Sequence, residues 1–115
     1  MKNYPEYYNK LSKGMASLGQ AAPGVMKGFG ALHNASMKSG ALDTKIKELI
    51  ALGIAISARC DGCIAAHVHA SLEAGASKEE ITETVSVAIL MGGGPSVVFG
   101  VAAMDALSQF QEQGL

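Results

Sequence analysis

Residues 43–67 read DTKIKELIALGIAISARCDGCIAAH. Asp43 is a suitable helix cap, and Ile46, Leu49, Ile50, Gly53, Ile54 and Ser57 then recur at helical spacing. After Glu48 the segment is apolar nearly all round, so the pattern predicts a buried central helix over about residues 43–58. The pattern restarts between Arg59 and Gly62, and a second helix is expected over about 61–74.

The same punctuation runs outward in both directions. Downstream, Gly75 is placed to end the second helix in the left-handed conformation. Ser77-Lys78-Glu79-Glu80 is a capping-box sequence, with Ser at the cap and Glu three residues later, and opens a helix over about 78–92. Gly92-Gly93-Gly94 stops that helix, and Pro95 suits the first turn of a last one over about 95–110. Upstream, residues 4–13 predict a short amphipathic opening helix followed by a Gly/Ala-rich turn through Pro23. Val25, Met26, Phe29, Leu32 and His33 then recur at helical spacing, which predicts a helix over about 23–38 ended near Gly40. The β-branched residues fall at helical rather than alternating intervals, so no strand is expected. The expected fold is all-α, with about six helices in one domain spanning residues 1–115.

Composition narrows the function classes. A chain of 115 residues has room for one core and buries roughly two-thirds of its unfolded surface on folding. Apolar residues make up 49% of it and Trp is absent, so small aliphatic side chains must carry the packing. That is more aliphatic surface than so short a monomer can hide, which predicts a homo-oligomer. Nine basic residues face ten acidic ones, and Arg59 is the only arginine. Without a basic stripe, nucleic-acid binding is not expected. No apolar run reaches the ~18–20 residues of a membrane span, and the start, Met1 to Tyr8, lacks the apolar stretch of a signal peptide. Two cysteines in such a chain point to a reducing, cytoplasmic compartment, where a close pair is more often catalytic or metal-binding than structural.

Cys60, Cys63 and His67 carry that chemistry. Intervals of three and four put them on one face of a helix starting near Cys60. Two thiols so spaced can close a disulfide with little backbone movement. At a helix start they also meet unpaired N–H groups and the positive end of the helix dipole, which favour thiolate. Arg59 adds a neighbouring positive charge. His67, one turn beyond Cys63, can exchange a proton with it directly or through one water. Glu48 lies 12 residues before Cys60 and is the last charge ahead of the apolar run. If the two helices form a hairpin, it approaches the same face and can orient His67.

Plainer readings compete for each residue. A CxxC can be half a zinc site, but a tetrahedral site needs four ligands where these residues offer three, unless His69 or another subunit completes it. The cysteines can also be buried apolar residues, and Glu48 a solvated helix charge. His69 falls on a different face from His67 and is expected at the surface or an interface; His33 is expected to be structural or at a subunit contact. Gly92-Gly93-Gly94 has no following Lys-Ser/Thr and is not a phosphate loop.

Over about residues 21–108 the sequence resembles the carboxymuconolactone decarboxylase superfamily, and within it the alkylhydroperoxidase AhpD-like branch. The resemblance rests on the segment Leu42 to Ile54, on Arg59-Cys60-Asp61-Gly62-Cys63, on Glu73-Ala74-Gly75-Ala76 and on Ala88 to Pro95. It implies an all-helical fold with a central hairpin, assembled as trimers or hexamers. It implies a hydroperoxide substrate, Cys63 as the peroxidatic nucleophile, Cys60 as the resolving thiol, and Glu48 and His67 as a proton relay. It implies a lipoyl-bearing or thioredoxin-like protein as reductant, and neither cofactor nor metal. The chain departs from that pattern at Gly62, where the branch often has a second histidine. Rival readings are lactone decarboxylation, which relatives lacking the cysteine pair carry out, and a redox-sensing or zinc-binding module without turnover.

Overall fold

Side-chain caps start the first, third, fourth and fifth helices in chain order, and residues at positive φ follow the ends of the third, fourth and fifth. The computed structural model describes residues 2–115. It contains α1 (Tyr4–Ala21), α2 (Pro23–Met37), α3 (Thr44–Ser57), α4 (Asp61–Glu73), α5 (Lys78–Gly92) and α6 (Gly94–Glu112), with no strand among the described residues. The Asp43 side chain accepts from the Ile46 N–H, capping α3 as expected. Ser77 and Glu80 form the full capping box at α5. Gly75, at φ 91°, ends α4, and the chain turns from α5 into α6 at Gly93, at φ 69°.

One expectation fails at the N-terminus. α1 does not stop near residue 13 but runs through Gly14 and Gly19 to Ala21. Each glycine costs a helix only about 1 kcal/mol relative to Ala, and the surrounding alanines favour continuation. The break comes at Ala22 (φ −132°), where the following Pro23 disfavours helical backbone.

α3 packs on α4 and α5, and α6 closes the bundle against α4 and α5. Leu52 and Ile56 of α3, Ile64 and Val68 of α4, Ile81 of α5 and Leu107 of α6 are fully buried between them. Each such side chain stabilises the fold by roughly 1.5–3 kcal/mol. A Cβ on Gly100 would stand 2.9 Å from Val85 Cγ1, so the missing side chain lets α5 and α6 approach closely.

The buried side of α3 is not the one its spacing selects. Glu48, Leu52, Ala55 and Ile56 face the core, whereas Ile46, Ile50 and Ile54 are exposed. A helix apolar all round has two candidate faces, and spacing alone cannot choose between them. Ile46, Ile50 and Ile54 instead line an open apolar groove of about 440 Å³ with Val87 and Met91 of α5. α2 behaves alike: it forms where predicted, but Val25, Phe29 and Leu32 are exposed and none of its residues is buried.

Candidate active site

The site grows from the turn between α3 and α4. Ala58 caps α3, Arg59 adopts φ 56°, and Cys60 comes next as the N-cap of α4. The Cys60 N–H donates to Ala55 O and the Arg59 N–H to Ile56 O, both at 3.1 Å, which closes a Schellman turn. The left-handed position in such a turn usually holds glycine; an ordinary residue there costs roughly 1–2 kcal/mol. The turn is tight enough to fold α4 straight back along α3, producing the hairpin that brings Glu48 to the face of α4.

Cys60 and Cys63 are bridged, with Cα atoms 5.2 Å apart. The Cys63 N–H, one of the unpaired donors of the first turn, points at Cys60 Sγ at 3.3 Å. Cys60 is half-buried and Cys63 exposed. One turn further along α4, His67 Nδ1 lies 2.8 Å from Glu48 Oε1. Glu48 is buried at 5% exposure, and His67 is the hydrogen-bond partner found for its carboxylate. A carboxylate oxygen accepts, so the ring proton sits on Nδ1 and Nε2 is left outside the pair to take or give a proton. All four residues singled out in the sequence therefore converge on the α3–α4 hairpin.

Two histidines lie outside this group. His69, expected at the surface or an interface, is half-buried: its ring stacks on Tyr8 of α1 at 4.5 Å and meets Phe110 of α6 edge-on at 5.1 Å, while its Nδ1 lies 2.7 Å from the exposed Glu73 carboxylate. A position 200° round α4 from His67 faces the α1–α6 side of the bundle. His33 is exposed on α2.

The N-terminal helix supplies residues that sequence reasoning misses. The Tyr4 hydroxyl donates to Asp61 Oδ1 at 2.9 Å, and the Lys2 ammonium pairs with Oδ2 of the same carboxylate. A Cβ on Gly62 would stand 3.0 Å from Leu11 Cδ2 and 3.2 Å from the Tyr7 hydroxyl. α1 thus occupies the space that a larger residue between the cysteines would need. Tyr4, Tyr7 and Leu11 do recur at helical spacing, a signal that they share a face, but spacing does not reveal which helix that face covers.

A model of the carboxymuconolactone decarboxylase family matches residues 23–106. A carboxymuconolactone decarboxylase family protein of Legionella pneumophila superposes with a TM-score of 0.90 at 36% identity, covering 93% of this chain and 96% of its own. A family protein of Thermotoga maritima, described as a candidate for involvement in an antioxidative response, superposes with a TM-score of 0.72, also at 36% identity. It covers 76% of this chain and 90% of its own. An uncharacterized protein of Cupriavidus necator is 33% identical over 102 residues, 86% of this chain and 90% of its own.

Proposed function

The chain belongs to the carboxymuconolactone decarboxylase family, and on that premise we propose that it is a dithiol hydroperoxidase of the AhpD-like type. The observation that carries the reading is the contact between His67 Nδ1 and the buried Glu48 carboxylate at 2.8 Å, one helical turn from an exposed cysteine. In the reduced protein, the Cys63 thiolate attacks the outer oxygen of the hydroperoxide. The O–O bond breaks, the alcohol leaves with a proton delivered through His67, and Cys63 becomes a sulfenic acid. The Cys60 thiol then attacks the Cys63 sulfur and water leaves, which forms the disulfide. A dithiol reductant, lipoyl-bearing or thioredoxin-like, attacks that disulfide and returns both thiols while itself being oxidised. Glu48 holds the His67 ring and its tautomer throughout. The antioxidative description of the Thermotoga maritima relative points the same way.

The reading includes a homo-oligomer, trimeric or hexameric. Its support is the uncovered apolar groove between α3 and α5 and the exposed face of α2, since patches of this kind mark contacts between subunits. Light scattering at micromolar concentration should give a mass of three or six chains; an 11.8 kDa species alone would contradict it.

Mass spectrometry tests the chemistry. Treating the reduced protein with one equivalent of an organic hydroperoxide should remove two hydrogen atoms and leave Cys60 bridged to Cys63, reversibly by dithiol. The Cys60→Ser variant should stop at a sulfenic acid on Cys63. Two free thiols after peroxide treatment would overturn the reading, and stoichiometric zinc on the reduced protein would favour a metal-binding module.

A further inference from the structure

Asp61 is the one carboxylate lying between the two cysteines, and it opens α4 as its first residue. A negative charge two residues from Cys63 opposes formation of a thiolate there. The structure shows this carboxylate held on both oxygens from the α1 end, by the Tyr4 hydroxyl on Oδ1 and the Lys2 ammonium on Oδ2. The backbone that carries the two donors is itself tied down. The Tyr4 N–H donates to Gln109 Oε1 at 2.6 Å, and Gln109 Nε2 donates to the Lys2 carbonyl at 3.0 Å, which stitches the start of α1 to α6. Tyr4 is buried at 4% exposure.

We propose that Lys2 and Tyr4 are positioning residues of the dithiol: acting through Asp61, they neutralise its carboxylate and hold it on the α1 side of α4, so that Cys63 ionises more readily. The proposal deepens the preceding reading and rests on its assignment of Cys63 as the reactive thiol. The charged and titratable groups around Asp61 are few. From the α1 side come Lys2, Tyr4 and Tyr7, with the Lys2 ammonium also 4.4 Å from the Tyr7 ring centre. From α6 comes Asp105, whose charge acts on Tyr4. Arg59 precedes α4, and the Glu48 carboxylate of α3 is engaged with His67. Burial, with the Asp61 hydrogen bond second, pushes the Tyr4 hydroxyl well above the usual phenol range, so it remains a donor wherever the thiols titrate. The two contacts differ chemically. Lys2 supplies a neutralising charge and Tyr4 a fixed direction, and the loss of either leaves Asp61 free to act on Cys63.

The test is the pH dependence of iodoacetamide alkylation in the reduced protein, with each cysteine followed separately by peptide mass spectrometry. Lys2→Met and Tyr4→Phe should each raise the Cys63 midpoint. At a pH below both midpoints they should slow Cys63 alkylation by about three- to tenfold. Asp61→Asn should lower the midpoint, and adding Lys2→Met or Tyr4→Phe to Asp61→Asn should change nothing further. Lys2 is exposed and its variant keeps the fold even if Tyr4→Phe does not, as a thermal melt on each sample would show. Unchanged midpoints in the single variants would overturn the proposal. So would a shift of the same size when Asp61 is already Asn, which would assign α1 a merely structural role. Alkylation running first at Cys60 would overturn it together with the choice of nucleophile. Peroxide turnover measured on the same samples separates the two readings: shifted midpoints without turnover would refute the peroxidase and leave this inference standing.

Discussion

α3 and α4 end in the same turn built from different residues. At the end of α4, Gly75 takes φ 91°, its N–H donates to Leu72 O, and the Ala76 N–H donates to Ser71 O. At the end of α3, Arg59 takes φ 56° with the equivalent pair of hydrogen bonds to Ile56 and Ala55. Glycine enters this conformation without a Cβ clash; arginine does not. The residues beyond each turn also differ. Gly75 leads to the buried Ala76 and the capping box of α5, whereas Arg59 leads directly to Cys60. Backbone strain persists where surrounding structure enforces it, and it gathers at functional sites. The comparison thus separates a turn that leads on to the next helix from one that also places a disulfide sulfur, and under the proposed function it gives α4 a chemical end and a structural end.

Substitutions at the two ends should part accordingly. The largest effect is expected at the chemical end, where His67→Gln should lower hydroperoxide turnover by ~100-fold or more while the melting temperature stays nearly constant. Glu48→Gln should lower turnover by less than that ~100-fold, because the amide still meets Nδ1 but no longer holds the ring as firmly. If either variant retains full activity while folded, that residue is not part of the relay.

At the structural end, Gly75→Ala should cost ~1–2 kcal/mol in denaturant unfolding, with turnover per folded molecule unchanged. The smallest effect carries the opposite sign. Arg59→Gly should gain about 0.5–1 kcal/mol, the relief of the left-handed conformation less the extra freedom of glycine in the unfolded chain. Equal signs at the two turns would erase the distinction between them.

Much of this architecture is legible in the sequence. The caps at Asp43 and Ser77 and the stops at Gly75 and Gly93 are local, and each depends on a single residue's backbone or side-chain chemistry, so they read directly from the chain. Cys60, Cys63 and His67 share one helix face by spacing alone. Glu48 is reachable only on condition that α3 and α4 form a hairpin, and the turn at Arg59 supplies that condition without announcing itself, since arginine carries no mark of a left-handed position. The choice of buried face on α3 is illegible for another reason: both faces are apolar, and only the neighbours decide. The contacts of Lys2 and Tyr4 with Asp61 join residues nearly 60 positions apart, and no periodicity within a segment reports on such a pairing. The length of α1 is hidden because Gly14 and Gly19 look like breakers, when two glycines among alanines weaken a helix without ending it.

The central claim is that Cys63 reduces hydroperoxides and Cys60 resolves it. Steady-state reduction of an organic hydroperoxide with dihydrolipoamide as the electron donor, compared between the unsubstituted protein and Cys63→Ser at matched melting temperature, tests it most directly. The account predicts sustained turnover in the former and none above the uncatalysed background in Cys63→Ser. Equal rates in the two proteins, or no turnover in either, would contradict it.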